Sequence, residues 1–250
     1  DPRKEFHQPP EHGEDLELTI SVPLQRAAQD VILNPKLPPE LGLDRDDAWF
    51  RSPVGAIVMI TPDGEVLAAA SAPREAQPTL PGRSGAREDV IDRTMRIPGN
   101  QPPGSIFKPL IAAHAIETHG LDPHEEFLCV DHAGTGPSYF TLHCHSRVGH
   151  QSIALHDALQ ESCNSYFARV GELYQDREEL LELVHFYGLD EPTGINVGGR
   201  RGYFEEHHIV GLHEDDLTHR KRLAAGNGLS PIQATPLQMA RAFAGLATGE

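Results

Sequence analysis

The chain has 250 residues, of which 38% are hydrophobic, and a formal charge of -16 at pH 7. It is long enough for one large domain or two small ones. Its 21 basic residues are scattered, which disfavours nucleic acid as a partner because phosphate binding needs clustered Lys and Arg. No run of about 18 apolar residues occurs, so no segment reads as a membrane-spanning helix.

Residues 1–16 are rich in proline and charge and read as a linker or a cut end, which leaves 17–250 as the folded unit. Leu16, Leu18 and Ile20 alternate as in a short strand. Ser21 can then cap a helix whose apolar positions Leu24, Ala27, Ala28, Val31 and Ile32 recur at helical spacing. Pro35, Pro38 and Pro39 end it. The runs 55–60 and 65–71, joined across Pro62, Asp63 and Gly64, predict a β-hairpin covered by helices on at least one face. Residues 73–104, rich in Pro, Gly and Arg, predict a long loop.

Helical patterns follow over 105–119, 152–160, 164–174 and 176–187, the last stopped by Gly188. A final helix is announced by Thr235 as N-cap, Pro236 at the first position and Gln238 completing a capping box. Helices outnumber strands, so the expected class is α+β, with helices gathered on an antiparallel sheet. There is no internal repeat.

Two polar constellations stand out. In "PPGSIFKP", Ser105 precedes Lys108 by three residues, a spacing that puts both on one face of a helix. A serine hydroxyl needs a base to take its proton, and a lysine can act as one only if its pKa is lowered. The helix dipole and burial both work in that direction. In "ESCNSYF", Ser162 and Asn164 lie two apart at a junction between helical patterns, where they can present a hydroxyl and an amide to one cleft. Each constellation also has a plainer reading as a helix cap.

Ser-x-x-Lys followed by Ser-x-Asn is the order of motifs in serine acyltransferases of the penicillin-binding type. With the segments "LTISVPLQRAAQ", "GAIVMITPDGEVLAAASAP", "DRTM", "YGLDEPTGI" and "GNGLSPIQATPLQMARAFAGLATG" in family order, the chain resembles the penicillin-binding proteins. It looks most like a class B, elongation-type D,D-transpeptidase. The resemblance implies the penicillin-binding/serine β-lactamase-like fold, with Ser105 as the acylated nucleophile and Lys108 as its base. It makes Ser162 a proton relay to the leaving amine and Asn164 a holder of the substrate amide and the lysine, and it gives the Ser105 N–H a place in the oxyanion hole.

The implied partners are D-Ala-D-Ala stem peptides, β-lactams and a membrane glycosyltransferase of the elongation machinery. The implied location is the periplasmic side of the bacterial inner membrane, reached through an N-terminal anchor. The family's Lys-Thr/Ser-Gly strand has no counterpart: Thr193 and Gly194 follow Pro192, not lysine. The expectation is therefore a domain incomplete at its C-terminal strands. A hydrolytic cousin (a D,D-carboxypeptidase or β-lactamase-like enzyme) and a non-catalytic penicillin-binding scaffold stay open beside the transpeptidase.

Cys129, Cys144 and Cys163 lie between the Ser-x-x-Lys motif and the end of Ser-x-Asn, and with a histidine they make a Cys3His set suited to structural zinc. The neighbourhood also holds His132, His143 and His145. The resemblance selects His150, because some elongation-type members carry zinc here. A Cys129–Cys144 disulfide or three unlinked thiols are the alternatives. No organic cofactor is implied.

Overall fold

The computed structural model describes residues 17–33, 55–72, 94, 102–129, 132–133, 142–146, 148–191, 193–195 and 217–249. The expected linker over 1–16 lies outside them, as does all of the long loop except Thr94 and its last residues. The fold class is α+β, as the sequence suggests, with helices packed around short antiparallel strand pairs.

Residues 17–20 do not form the expected strand. Helix α1 (Val22–Leu33) starts too soon after them for a ladder to develop, and only isolated bonds remain. The Thr19 hydroxyl donates to Val66 O at 2.7 Å, and the Ser21 N–H donates to Leu67 O at 2.9 Å. The hairpin forms as expected from β1 (Gly55–Ile60) and β2 (Val66–Ala72). Gly64, at φ 87, makes the turn.

α1 lies across the hairpin because the facing positions are small. Ala28 meets Ala68 and Ala70, with Leu24, Ile32 and Ile57 at the margin. The Gln25 amide pairs with the backbone of Ala69 in both directions, donating to its carbonyl and accepting from its N–H, each at 2.8 Å.

Most of the apolar core surrounds α2 (Lys108–His119). Phe107, Leu110 and Ile111 bury there against Phe167 and Val170 of a later helix, α4 (Asn164–Glu172). Between α2 and α4 the sequence suggests a helix over 152–160, but the described residues there form four short strands and a shorter helix. β3 (Phe127–Cys129) pairs with β6 (Gln151–Ile153), and β4 (His132–Ala133) pairs with β5 (Leu142–His143), both antiparallel. Because Gln151–Ile153 is committed to β3, helix α3 (Leu155–Gln160) begins later than expected. Strands of two or three residues carry too little periodicity to be read from sequence.

α5 (Arg177–Phe186) is capped by the Asp176 side chain and followed by Gly188 at φ 58. α6 (His219–Gly226) crosses α4 at backbone contact distance: a Cβ on Gly171 would lie 2.1 Å from Arg222 O, and one on Gly226 would lie 1.9 Å from Phe167 O. α7 (Pro236–Thr248) starts with the Thr235–Gln238 capping box that the sequence announces, and it packs along β1. Its Leu237 N–H donates to the carbonyl of Thr94, from the "DRTM" segment, at 2.9 Å.

Candidate active site

Ser105 sits on a 3-10 turn, Gly104–Phe107, that leads directly into α2. In this tighter winding, residues three apart eclipse, so Ser105 and Lys108 share one side, and the Lys108 N–H closes the turn on Ser105 O. The cap reading of Ser105 does not hold. The N-cap of α2 is Phe107, without a side-chain cap bond, and the Ser105 side chain is exposed at the surface.

Ser162 and Asn164 converge on Lys108. The lysine amine lies 2.7 Å from Ser162 O, 3.0 Å from Ser162 Oγ and 2.8 Å from Asn164 Oδ1. Lys108 is 1% exposed, with its amine 5.3 Å from the centre of the Phe167 ring. Burial brings its pKa from 10.5 to about 8, against the opposing pull of Cys163 and Cys144. Deprotonation is therefore within reach near neutral pH.

Direction matters among these three contacts. An ammonium can donate to all three oxygens, whereas a neutral amine has two N–H groups and a lone pair. Ser162 O and Asn164 Oδ1 can only accept, so the reversible partner is the Ser162 hydroxyl. On deprotonation it can turn its own proton toward the lysine nitrogen.

The backbone at Ser162 makes the double contact possible. Its φ of 48 lies in the left-handed region, which costs a non-glycine residue about 1 kcal/mol or more. The turn brings carbonyl and hydroxyl to the same amine. Neither Ser162 nor Asn164 caps α4; Cys163 does, its sulfur accepting from Tyr166 N–H at 3.4 Å. The serine and the asparagine on either side are thereby left for the lysine.

Cys163 also belongs to a second cluster. His150 Nδ1 lies 3.4 Å from Cys129 Sγ and 3.3 Å from Cys144 Sγ, and Cys144 Sγ lies 3.9 Å from Cys163 Sγ. All four candidate ligand atoms fall within 4.8 Å of one another. The topology explains the convergence: Cys129 ends β3 opposite Gln151, Cys144 follows β5, and Cys163 opens α4. The turn from Ser146 to Gly149, closed by Ser146 Oγ donating to Gly149 O at 2.9 Å, delivers His150.

No disulfide joins Cys129, Cys144 or Cys163 in this structure. A tetrahedral ion with bonds of about 2.3 Å to sulfur and 2.0–2.1 Å to nitrogen would set edges of about 3.8 Å between sulfurs and 3.6 Å from sulfur to nitrogen. The donor set and its spacing fit such an ion. Neighbouring groups already favour a thiolate at Cys144. Burial raises its pKa, but the backbone N–H groups of Ser146 and Asn164, together with hydrogen bonds from the Cys129 and Cys163 thiols, leave it lowered. The thiol of Cys163, more dominated by burial, is pushed up to about 12.

A group of residues not singled out from the sequence as part of the site connects the two motifs from behind. Asn227 donates through Nδ2 to Asn164 O at 3.1 Å, and the neighbouring Gly228 O accepts from Gly104 N–H at 2.8 Å. The Gly-Asn-Gly triplet at 226–228 was a legible signal, since two glycines around a small amide suggest close backbone approach.

With this geometry in place, comparison with known proteins defines the class. Residues 54–250 match the family model described as penicillin binding protein transpeptidase domain, and the chain belongs to that family. It is 27% identical over 247 residues to Stage V sporulation protein D of Bacillus subtilis (strain 168), covering 97% of this chain and 34% of that protein. It superposes on Pseudomonas aeruginosa PBP2, solved in complex with WCK 5153, with a TM-score of 0.66 and 22% identity, over 92% of this chain and 50% of that one.

A solved structure of a peptidoglycan synthase complex that coordinates polymerization and crosslinking gives a TM-score of 0.67 and 25% identity, over 93% of this chain and 41% of that one. The chain thus spans about a third of the sporulation protein and half or less of these two structures. The fold is the penicillin-binding transpeptidase fold, and these likenesses are consistent with class B.

Proposed function

We propose that this chain carries the acyl-transfer machinery of a peptidoglycan D,D-transpeptidase. The observation that carries the reading is the buried Lys108 amine held by Ser162 and Asn164, one 3-10 turn after Ser105. Ser105 Oγ attacks the carbonyl of the penultimate D-Ala while Lys108 Nζ takes its proton. The intermediate collapses with loss of the terminal D-Ala, whose amine receives a proton through Ser162 Oγ. Asn164 holds the lysine by Oδ1. An amine from a neighbouring stem peptide then attacks the Ser105 ester, forms the cross-link and restores the serine.

β-Lactams would acylate Ser105 in the same first stage, in line with the family's description. A place in the cell envelope, and work beside a glycosyltransferase, follow from the peptidoglycan substrate. The likeness to a peptidoglycan synthase complex supports both. Among the described residues no helix is long and apolar enough to cross a membrane.

We also propose a structural zinc at Cys129, Cys144, His150 and Cys163. When bound, it would supply a cross-link and no chemistry, since four protein ligands leave no position for water. These residues would tie β3, the segment after β5 and the start of α4 together, and so fix the loop that presents Ser162 and Asn164 to Lys108.

Labelling of the full-length protein with a fluorescent penicillin tests the catalytic reading. Wild type labels covalently and Ser105→Ala does not. An unlabelled wild type, or label retained in Ser105→Ala, overturns it.

A further inference from the structure

The acyl-transfer reading requires the Ser105 turn and the Ser162–Asn164 loop to stay in register, although they come from chain segments more than fifty residues apart. The triplet 226–228 touches both. Gly226 lies so close to α4 that a Cβ there would fall 1.9 Å from Phe167 O. Asn227, 3% exposed, sends its two amide protons to two carbonyls, Asn164 O at 3.1 Å and Leu223 O at 3.2 Å. Gly228, at φ 65, accepts from Gly104 N–H, and a Cβ on it would meet Gly104 O at 2.1 Å and Phe107 Cβ at 2.6 Å.

We propose that Gly226-Asn227-Gly228 is a positioning clamp for the reaction: Asn227 holds the Asn164 backbone, Gly228 holds the turn that bears Ser105, and the pair sets the distance between nucleophile and lysine cradle. This rests on the acyl-transfer reading. Both amide protons face oxygens that can only accept, so the amide has one workable orientation. Its Oδ1 is buried without a hydrogen-bond partner among the described residues. An orphaned buried oxygen is unfavourable, so the two donated bonds must offset it. The asparagine is accounted for by what its two donated bonds hold.

The test is the kinetics of penicillin acylation in the full-length protein, resolved into the dissociation constant of the reversible complex, the acylation rate constant and the fraction of molecules labelled. Asn227→Asp puts one carboxylate oxygen against two carbonyls, and Asn227→Ala removes both donated bonds without adding repulsion. The acylation rate constant is expected to fall in the order Asn, Ala, Asp, by about 10- to 100-fold at the extreme, with the dissociation constant within about twofold.

Rates are read per labelled molecule, so a purely structural defect lowers the labelled fraction and leaves the rate constant alone; that result overturns the clamp. A changed dissociation constant with an unchanged rate constant overturns it as well. If Asn227→Asp does not fold, Asn227→Ala decides by the same criteria. A wild type that does not label refutes the underlying reading instead, so the two failures are distinguishable.

Discussion

Ser162 meets Lys108 twice, through its main-chain carbonyl at 2.7 Å and its hydroxyl at 3.0 Å. The first contact fixes the amine and the second can reverse its direction when the amine loses a proton. One residue therefore anchors the lysine amine and offers it a hydroxyl proton, and the left-handed backbone at Ser162 is the geometric condition for both.

The pH dependence of acylation follows from the state of Lys108. In the proposed acyl transfer the working form is the free amine, and burial chiefly lowers its pKa to about 8, with Cys163 and Cys144 pulling upward. The neutral fraction grows as pH rises, so the acylation rate should climb about tenfold per unit well below pH 8 and level off above it. Penicillin acylation measured from pH 6 to 9.5 checks this, and a flat profile would exclude Lys108 as the base.

Replacing Ser162 separates its backbone role from its hydroxyl. Both Ser162→Gly and Ser162→Ala remove the relay and should slow acylation by about 100-fold or more. They should differ in stability. Glycine adopts a φ of 48 without steric cost while alanine does not, so Ser162→Gly is expected to be the more stable by about 1 kcal/mol. Denaturant titration of the two variants reads the difference, and equal stabilities would show that the turn relaxes.

Metal content tests the zinc site. Purified protein should hold about one zinc per chain, and Cys129→Ser, which leaves the Cys163 cap of α4 untouched, should lose it and melt about 5 °C lower or more. Elemental analysis with a thermal melt settles the matter. No zinc in the wild type, or full zinc in Cys129→Ser, would eliminate the proposal.

The crossing of α4 and α6 should tolerate no side chain. A methyl at Gly171 would sit 2.1 Å from Arg222 O, a backbone atom that cannot rotate away. Gly171→Ala is therefore expected to destabilise by about 1–3 kcal/mol, as measured by chemical denaturation. An unchanged midpoint would mean that the helices separate freely.

Sequence patterns disclosed the hairpin, the long helices and the Thr235 capping box, because each rests on local periodicity or a cap signal. They also disclosed the residue types of the site, since Ser-x-x-Lys and Ser-x-Asn are short in sequence. Hidden from them was everything made by long-range approach. Ser162 serves Lys108 because Cys163 takes over the cap, which no spacing rule states. The strands β3 to β6 exist because they pair with each other, and Ser152 and Ile153 read as the start of a helix until Phe127–Cys129 lies beside them. Asn227 acquires its meaning only when Asn164 O comes within 3.1 Å.

An exposed sheet edge is a template for any passing strand. The Gln25 amide, by mimicking a peptide group opposite Ala69, occupies that template on β2 with a side chain that carries no strand of its own. Thr19, through its hydroxyl, donates to the carbonyl of Val66, and Ser21, through its main-chain N–H, to that of Leu67. Among the described residues the hairpin is thus made one-sided: α1 lies along the border of β2, and the border of β1 is the one left to take a further strand.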